Sequence, residues 1–437
     1  MVSPSFRRPG LSGATAIAIA LLSPVTSAAS TSPAGPSPVA SHQSPLASTI
    51  SNFYAARGEK PVWFRAGGGD EAVRELVSIL RNAELDGLHD GQRLAAQVEQ
   101  AAASAATGNP DAIRSAERTM STAWLLYVQA LSLPPQGVIF GDPALVPHMP
   151  RSAEVLDSAA KASSLARHLR NVASVNPFYA ELRAAALRQG TVTQRIRGSL
   201  ERARLLPATG NYVLVDIASQ RLFMVENGRP TDSMRVIVGK PDQPTPMIAS
   251  TIRHATFNPY WNVPPDLLRK NIAPRVLADG LSYLRERGYE VLDGWGANAS
   301  AVDPGKVNWS AVVDGRVDLR VRQRPGSGNM MGNYKFAFPN GEGIYLHDTP
   351  DKALFREARR TFSSGCIRLE DAPRLARWLL GREPSAPSAR PEAEVPLPRP
   401  VPVYVTYLTA QVSGGELAMI DDVYRIDQQA EQRLAAR

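Results

Sequence analysis

Cys366 is the only cysteine among 437 residues, and it sits in Ser363-Ser364-Gly365-Cys366-Ile367-Arg368, nineteen positions after His347. A single sulfur forms no internal disulfide, and one thiol among six scattered histidines does not make a zinc site. What remains is an inert core thiol or a nucleophile. A thiol near its ordinary pKa is only a few per cent ionised at neutral pH. A neighbouring imidazole, or a field of backbone N–H groups, supplies the thiolate, and such a thiol is labelled at mildly acidic pH. Tyr345-Leu346-His347 alternates like a strand end, which puts Tyr345 and His347 on one face. Gly365 permits a tight backbone before the thiol, from which the N–H groups of Ser364, Gly365 and Cys366 can face a tetrahedral oxyanion. Ser363 and Ser364 orient the imidazole or accept a turn hydrogen bond, and Arg368 anchors the loop or a substrate carboxylate. His42, His89, His148 and His168 all precede the strand-rich region, so His254 is the competitor to His347 as partner base.

The elements that must position these residues fall into two blocks. Residues 49–205 read as a helical scaffold. Val73, Leu76, Val77 and Leu80 repeat at helical spacing after Asp70, with Gly87 as the stop, and a second apolar face runs from Ile113 through Ala116, Met120, Ala123, Tyr127 and Ala130 to Pro134-Pro135. Further helices are expected over 152–172 and 178–204. The character changes at Leu205-Leu206-Pro207. Tyr212-Val213-Leu214-Val215-Asp216-Ile217 and Arg221-Leu222-Phe223-Met224-Val225-Glu226 read as strands, Asn227-Gly228 as a type I′ hairpin, and 234–238 as a third strand. A β-rich domain over 206–383 is therefore expected, interrupted at 264–325 by an insertion with one helical stretch over 265–281 and a segment containing Trp295 and Trp309. Long insertions in compact domains are commonly lids or binding loops. Residues 384–402 read as a proline-rich linker, and 403–437 as a C-terminal hairpin around Gly414-Gly415 with a tail. The fold class is multidomain α+β.

Residues 1–29 have the pattern of a secretory signal. Arg7-Arg8 precede an apolar stretch at 11–22 and the small residues Val25-Thr26-Ser27-Ala28-Ala29. The stretch is about twelve residues, short for a bilayer span, with an uncleaved anchor as the alternative. Residues 30–48, rich in Ser, Pro and Ala, read as a disordered lead-in. The formal net charge is +8 and the basic residues are dispersed without a nucleic-acid motif, so an anionic envelope polymer is a more natural partner than nucleic acid.

Ile344-Tyr345-Leu346-His347-Asp348-Thr349-Pro350, followed by Ser363-Ser364-Gly365-Cys366-Ile367-Arg368, resembles the catalytic signature of the L,D-transpeptidases (YkuD type). Gly332-Asn333-Tyr334-Lys335-Phe336 and Phe338-Pro339-Asn340 resemble the strand and turn leading into that histidine. Gln220, Val238-Gly239-Lys240 and Thr245-Pro246 are similar to the start of the catalytic domain. Asn258-Pro259-Tyr260-Trp261-Asn262-Val263-Pro264 is similar to the strand before the lid. Ser364 stands where most of the family has a second histidine. The Ser-Ser-Gly-Cys form is typical of a large Gram-negative subgroup with a helical scaffold domain and a capping insertion. Phe53-Tyr54 through Pro61-Val62-Trp63, and Ala83 through Leu88, resemble that scaffold.

The resemblance implies a mixed β-sandwich acting on peptidoglycan stem peptides in the periplasm, with no cofactor. It implies that Cys366, with His347 as base, releases D-alanine from a tetrapeptide stem and forms a thioester that a neighbouring stem converts into a 3–3 cross-link. Tyr345, Arg368, Asn333, Lys335, Tyr260 and Trp261 are its candidate substrate contacts, other cell-wall synthesis proteins its partners, and carbapenems its expected acylating agents. An L,D-carboxypeptidase hydrolysing the same thioester, and a non-catalytic wall-binding protein, are the alternatives.

Overall fold

The computed structural model describes residues 45–65, 69–296, 298–385 and 389–435. The stretch read as a signal sequence, most of the stretch read as lead-in and His42 lie outside them. The first helix, Pro45–Ala56, starts inside the stretch read as lead-in, with proline at its opening position where a missing N–H costs nothing.

Helices Gly69–Arg81, Gly91–Ala105 and Pro110–Ser132 follow, and they bury Leu76, Leu80, Val98, Met120 and Trp124 in one core. Each of the two later helices expected from periodicity is broken in two by a cap. Ser164 accepts the Arg167 N–H and opens Leu165–Ser174 after Ser152–Lys161 has ended. Gly190, with φ of 69°, ends Pro177–Gln189, and Thr193 caps Gln194–Ala203. Apolar spacing continues across both breaks, which is why periodicity alone does not reveal them.

The β-rich part contains β1 (Val138–Phe140), β2 (Asn211–Asp216), β3 (Arg221–Glu226), β4 (Arg229–Gly239) and β5 (Met247–Phe257). It continues through β6 (Trp261–Asn262), β7 (Tyr289–Leu292), β8 (Arg320–Gln323), β9 (Tyr334–Ala337) and β10 (Tyr345–His347). Then come β11 (Thr361–Ser363), β12 (Ile367–Leu369), β13 (Ala393–Thr406), β14 (Ala410–Ser413) and β15 (Glu416–Met419). The main sheet runs β1-β5-β13-β2-β3-β4-β12-β10-β9, and β9 also pairs with β5. The expected mixed β-sandwich is thus one sheet that closes on itself around a core including Val236, Leu346, Ile367, Leu369 and Phe336. Asn227 and Gly228, at φ of 51° and 77°, form the predicted tight turn between β3 and β4. β1 arises within the region read as wholly helical and pairs in parallel with β5.

Residues 393–402, read as linker, are instead the first part of β13, which is antiparallel to β5 and, from Val403, parallel to β2. Pro396, Pro398, Pro400 and Pro402 fall on every second residue. The ladder with β5 is irregular between Pro396 and Val401 and β2 is paired only from Val403, so the prolines fall where few ladder donors are required. Val395 and Leu397, on either side of Pro396, are buried. The prolines interrupt the ladder, which resumes at Val401.

The insertion is a small folded body rather than a loop. Val263, Leu268, Ile272, Val276, Leu284, Val291, Trp309 and Val321 form its own core, beside a sheet of order β6-β8-β7. Trp309 is buried and Trp295 exposed. Its helical stretch holds a π turn over Leu268–Ile272.

The β14–β15 hairpin docks on the scaffold. Leu408 and Ala410 pack with Tyr179, Leu182, Ile196 and Leu200. Arg195 donates to the Ile420 carbonyl, and Arg188 Nη2 to the Gly415 carbonyl at 2.7 Å. Arg202 Nη2 and Asp427 Oδ1 pair at 2.6 Å with both side chains buried. Among the described residues no helix is long and apolar enough to cross a membrane. Removing one member of a buried pair strands the other charge. Asp427→Ala is therefore expected to lower stability by about 3 kcal/mol, read as a reduced denaturation midpoint at unchanged slope.

Candidate active site

The site is built on two parallel strands. β10 and β12 pair with Leu346 opposite Ile367 and His347 opposite Arg368. Paired residues share a face, so Leu346, Ile367 and Leu369 enter the core, and Tyr345, His347, Cys366 and Arg368 share the other side. β9 adds Lys335 opposite His347. Five of the residues singled out in the sequence therefore meet on one face.

His347 is buried, and its Nδ1 lies 2.5 Å from the Asp348 carbonyl oxygen. A carbonyl only accepts, so Nδ1 carries the proton and Nε2 carries the lone pair. Burial, reinforced by the positive charge of Arg368, lowers the His347 pKa to about 4. Cys366 is half-buried, with Sγ 3.5 Å from the Gly343 carbonyl. Burial raises its pKa, against the lowering effects of the Tyr345 backbone N–H and of Arg368. The resting pair is a neutral thiol and a neutral imidazole with its Nε2 free of a proton.

Asp348 fastens the strand end that carries the histidine. Its Oδ2 accepts the Asn333 N–H at 3.0 Å, and Lys352 Nζ reaches Oδ1 at 2.7 Å. Lys352 also donates to the carbonyls of Leu369, at 3.2 Å, and Glu370, at 2.9 Å. One ammonium thus links the chain after β10 to the chain after β12. Gly332 has φ of 60°, and a Cβ there would stand 2.5 Å from the Asp348 carboxylate. In the cysteine loop, the Gly365 N–H donates to Ser363 Oγ at 3.3 Å, while Ser364 is exposed. Gly365 itself has φ of 112°, in the region that favours glycine.

The remaining candidates divide. Lys335 Nζ pairs with Glu392 at 3.0 Å and lies 5.9 Å from the centre of the Tyr345 ring. Burial raises the Tyr345 hydroxyl pKa, with Cys366 and Glu392 adding to it. Glu392 also accepts the Tyr260 N–H at 2.8 Å, and Arg322 stacks over the Tyr260 ring at 4.1 Å. Trp261 packs with the core of the insertion. Arg368 approaches Asp351 at 3.6 Å. His254 lies 3.4 Å from Glu394, away from the β10–β12 pair. Sequence reasoning did not single out Glu392, Asp348 or Lys352 individually. Asp348 and Lys352 carry a readable signal, an i,i+4 acid–base pair beside the histidine. Glu392 meets Lys335 only through long-range pairing.

Residues 210–405 match the L,D-transpeptidase catalytic domain (YkuD), and residues 48–185 match the Scaffold domain. The chain carries an L,D-transpeptidase catalytic domain preceded by a scaffold domain. A Haemophilus influenzae protein named "Putative L,D-transpeptidase" is 32% identical over 249 residues, 55% of this chain and 50% of that protein. The chain therefore spans about half the length of this relative. Among solved structures, an L,D-transpeptidase from Mycobacterium smegmatis is 16% identical over 46% of this chain and 60% of its own, with a TM-score of 0.22. A mutant Enterococcus faecium L,D-transpeptidase is 14% identical over 48% and 62%, with a TM-score of 0.21.

Two outcomes test this geometry. His347 has a folded pKa near 4 and an ordinary value of 6.5, so protons bind preferentially to the unfolded chain between these pH values. Its contribution is present above pH 6.5 and lost as the pH falls towards 4, amounting to about 3 kcal/mol. Denaturation at pH 7 and pH 4 is expected to show this loss in the native protein and its absence in His347→Gln. Gly332→Ala, which combines left-handed strain with a clash, is expected to destabilise by about 2 kcal/mol or more in the same measurement.

Proposed function

We propose that the protein is a peptidoglycan L,D-transpeptidase that makes 3–3 cross-links through a thioester on Cys366. The observation that carries this reading is the shared face of Cys366 and His347 on parallel strands, with the imidazole tautomer held by the Asp348 carbonyl. His347 Nε2 removes the thiol proton as sulfur attacks the carbonyl between the third residue and the terminal D-alanine of a tetrapeptide stem. Arg368 and the Tyr345 N–H favour the developing thiolate. The Gly365 N–H is committed to Ser363, so the oxyanion falls to the N–H groups of Ser364 and Cys366. The imidazolium returns its proton to the leaving amine of D-alanine. A thioester remains at the L-centre of the third residue, diaminopimelate in the subgroup.

The side-chain amine of an acceptor stem then attacks this thioester. His347 takes the amine proton, and the thiolate leaves. Lys335, Arg368, Asn333, Tyr345 and Tyr260 border the donor, beneath the insertion that acts as a cap. Export by the N-terminal signal places the reaction in the periplasm, and carbapenems acylate the same sulfur.

The test is incubation of the mature protein with disaccharide-tetrapeptide, with products read by mass spectrometry beside Cys366→Ala. A cysteine-dependent dimer lacking one D-alanine is expected. Tripeptide monomer alone would replace this reading with L,D-carboxypeptidase. No product from a folded protein would leave a non-catalytic wall-binding role.

A further inference from the structure

The turn between β4 and β5 splints the cysteine loop. The Lys240 N–H donates to the Ser363 carbonyl at 3.0 Å, and the Thr245 hydroxyl donates to the Gly365 carbonyl at 2.6 Å. These contacts lie on either side of Ser364, immediately before the nucleophile. The Thr245 hydroxyl also accepts the Gly239 N–H at 2.9 Å, so its proton direction is determined. A Cβ on Gly239 would stand 2.2 Å from the Gln243 carbonyl, so the turn is closed as tightly as backbone permits.

The residue that holds the turn lies outside the matched catalytic domain. Tyr424 Oη donates to the Gly239 carbonyl at 2.6 Å and accepts the Thr245 N–H at 3.3 Å, joining both ends of the turn. Tyr424 is itself held. Its N–H donates to Tyr407 Oη at 2.9 Å, and the two rings stack with centroids 5.7 Å apart. Tyr407 donates to Asp422 at 2.7 Å, and Asp422 caps the helix Ile426–Ala435, whose Asp427 meets Arg202 of the scaffold. A hydrogen-bonded chain therefore runs from a scaffold helix to the carbonyl beside the nucleophile.

That carbonyl belongs to the peptide plane that also contains the Cys366 N–H. In a trans peptide the two groups point in opposite directions, so anchoring one aims the other. We propose that Tyr424 is a positioning residue of the active site, acting through Thr245 to aim the Cys366 N–H, and that the C-terminal segment beyond residue 405 is a working part of the catalytic centre. The kinetic consequence rests on the function proposed above, whereas the geometric one does not.

The lone cysteine offers a direct readout. In protein labelled with 15N-cysteine, the full chain gives one backbone amide signal, that of Cys366. Tyr424→Phe and Thr245→Val are expected to shift or broaden this signal, and Thr245→Ser, which keeps the hydroxyl, to leave it in place. In muropeptide turnover the first two variants are expected to lose about tenfold or more in kcat with KM within about twofold, and Thr245→Ser to retain activity. A signal unmoved in Tyr424→Phe and Thr245→Val overturns the proposal. So does a Thr245→Ser variant that behaves like Thr245→Val, since packing alone would then explain the effect. A native protein without transpeptidase activity defeats the proposed function and leaves the amide signal to decide this inference.

Discussion

The structure depends on the parallel pairing of β10 and β12. Parallel neighbours cannot be joined by a tight turn, so the chain must leave the sheet after His347 and return before Cys366. The register then decides the chemistry. With His347 opposite Arg368, the imidazole, the thiol and a guanidinium share one side, and a slip of one residue would send the thiol into the core. Each strand of the pair has a second neighbour, β9 for β10 and β4 for β12, so neither is free to slide. Lys352 secures the same register from outside the ladder by binding the chain beyond both strands.

Burial is the second constraint, and it acts on both reacting groups in the same sense. It favours the unprotonated imidazole and the undissociated thiol. Arg368 opposes burial at the sulfur and reinforces it at the histidine. One guanidinium therefore favours the neutral form of the imidazole and the ionised form of the thiol together.

Much of this was legible in the residues because the signals are local. Alternation in Tyr345-Leu346-His347, Gly365 before Cys366, and the Asn227-Gly228 turn each state a backbone requirement within a few positions. The helical scaffold was legible for the same reason, apart from the breaks at Ser164 and Gly190, where capping chemistry interrupts a continuing apolar period. What was hidden is non-local. Nothing near Glu392 announces Lys335, and nothing near Tyr424 announces Gly239. β13 was misread because proline ordinarily breaks a ladder, and here the ladder is interrupted at the prolines and resumes beyond them.

The place of β13 has a bearing on how the molecule comes to be. This strand, late in the chain, lies between β2 and β5, which are made much earlier. Until it arrives those two strands have an open seam between them, and closing it joins residues very distant in sequence, a slow kind of contact to form. The segment that completes the seam runs directly into the one that steadies the cysteine loop. A chain emerging in order would thus hold its thiol in an unfinished setting until β13, the last strand of the main sheet, is inserted, which couples completion of the sheet to completion of the surroundings of the thiol.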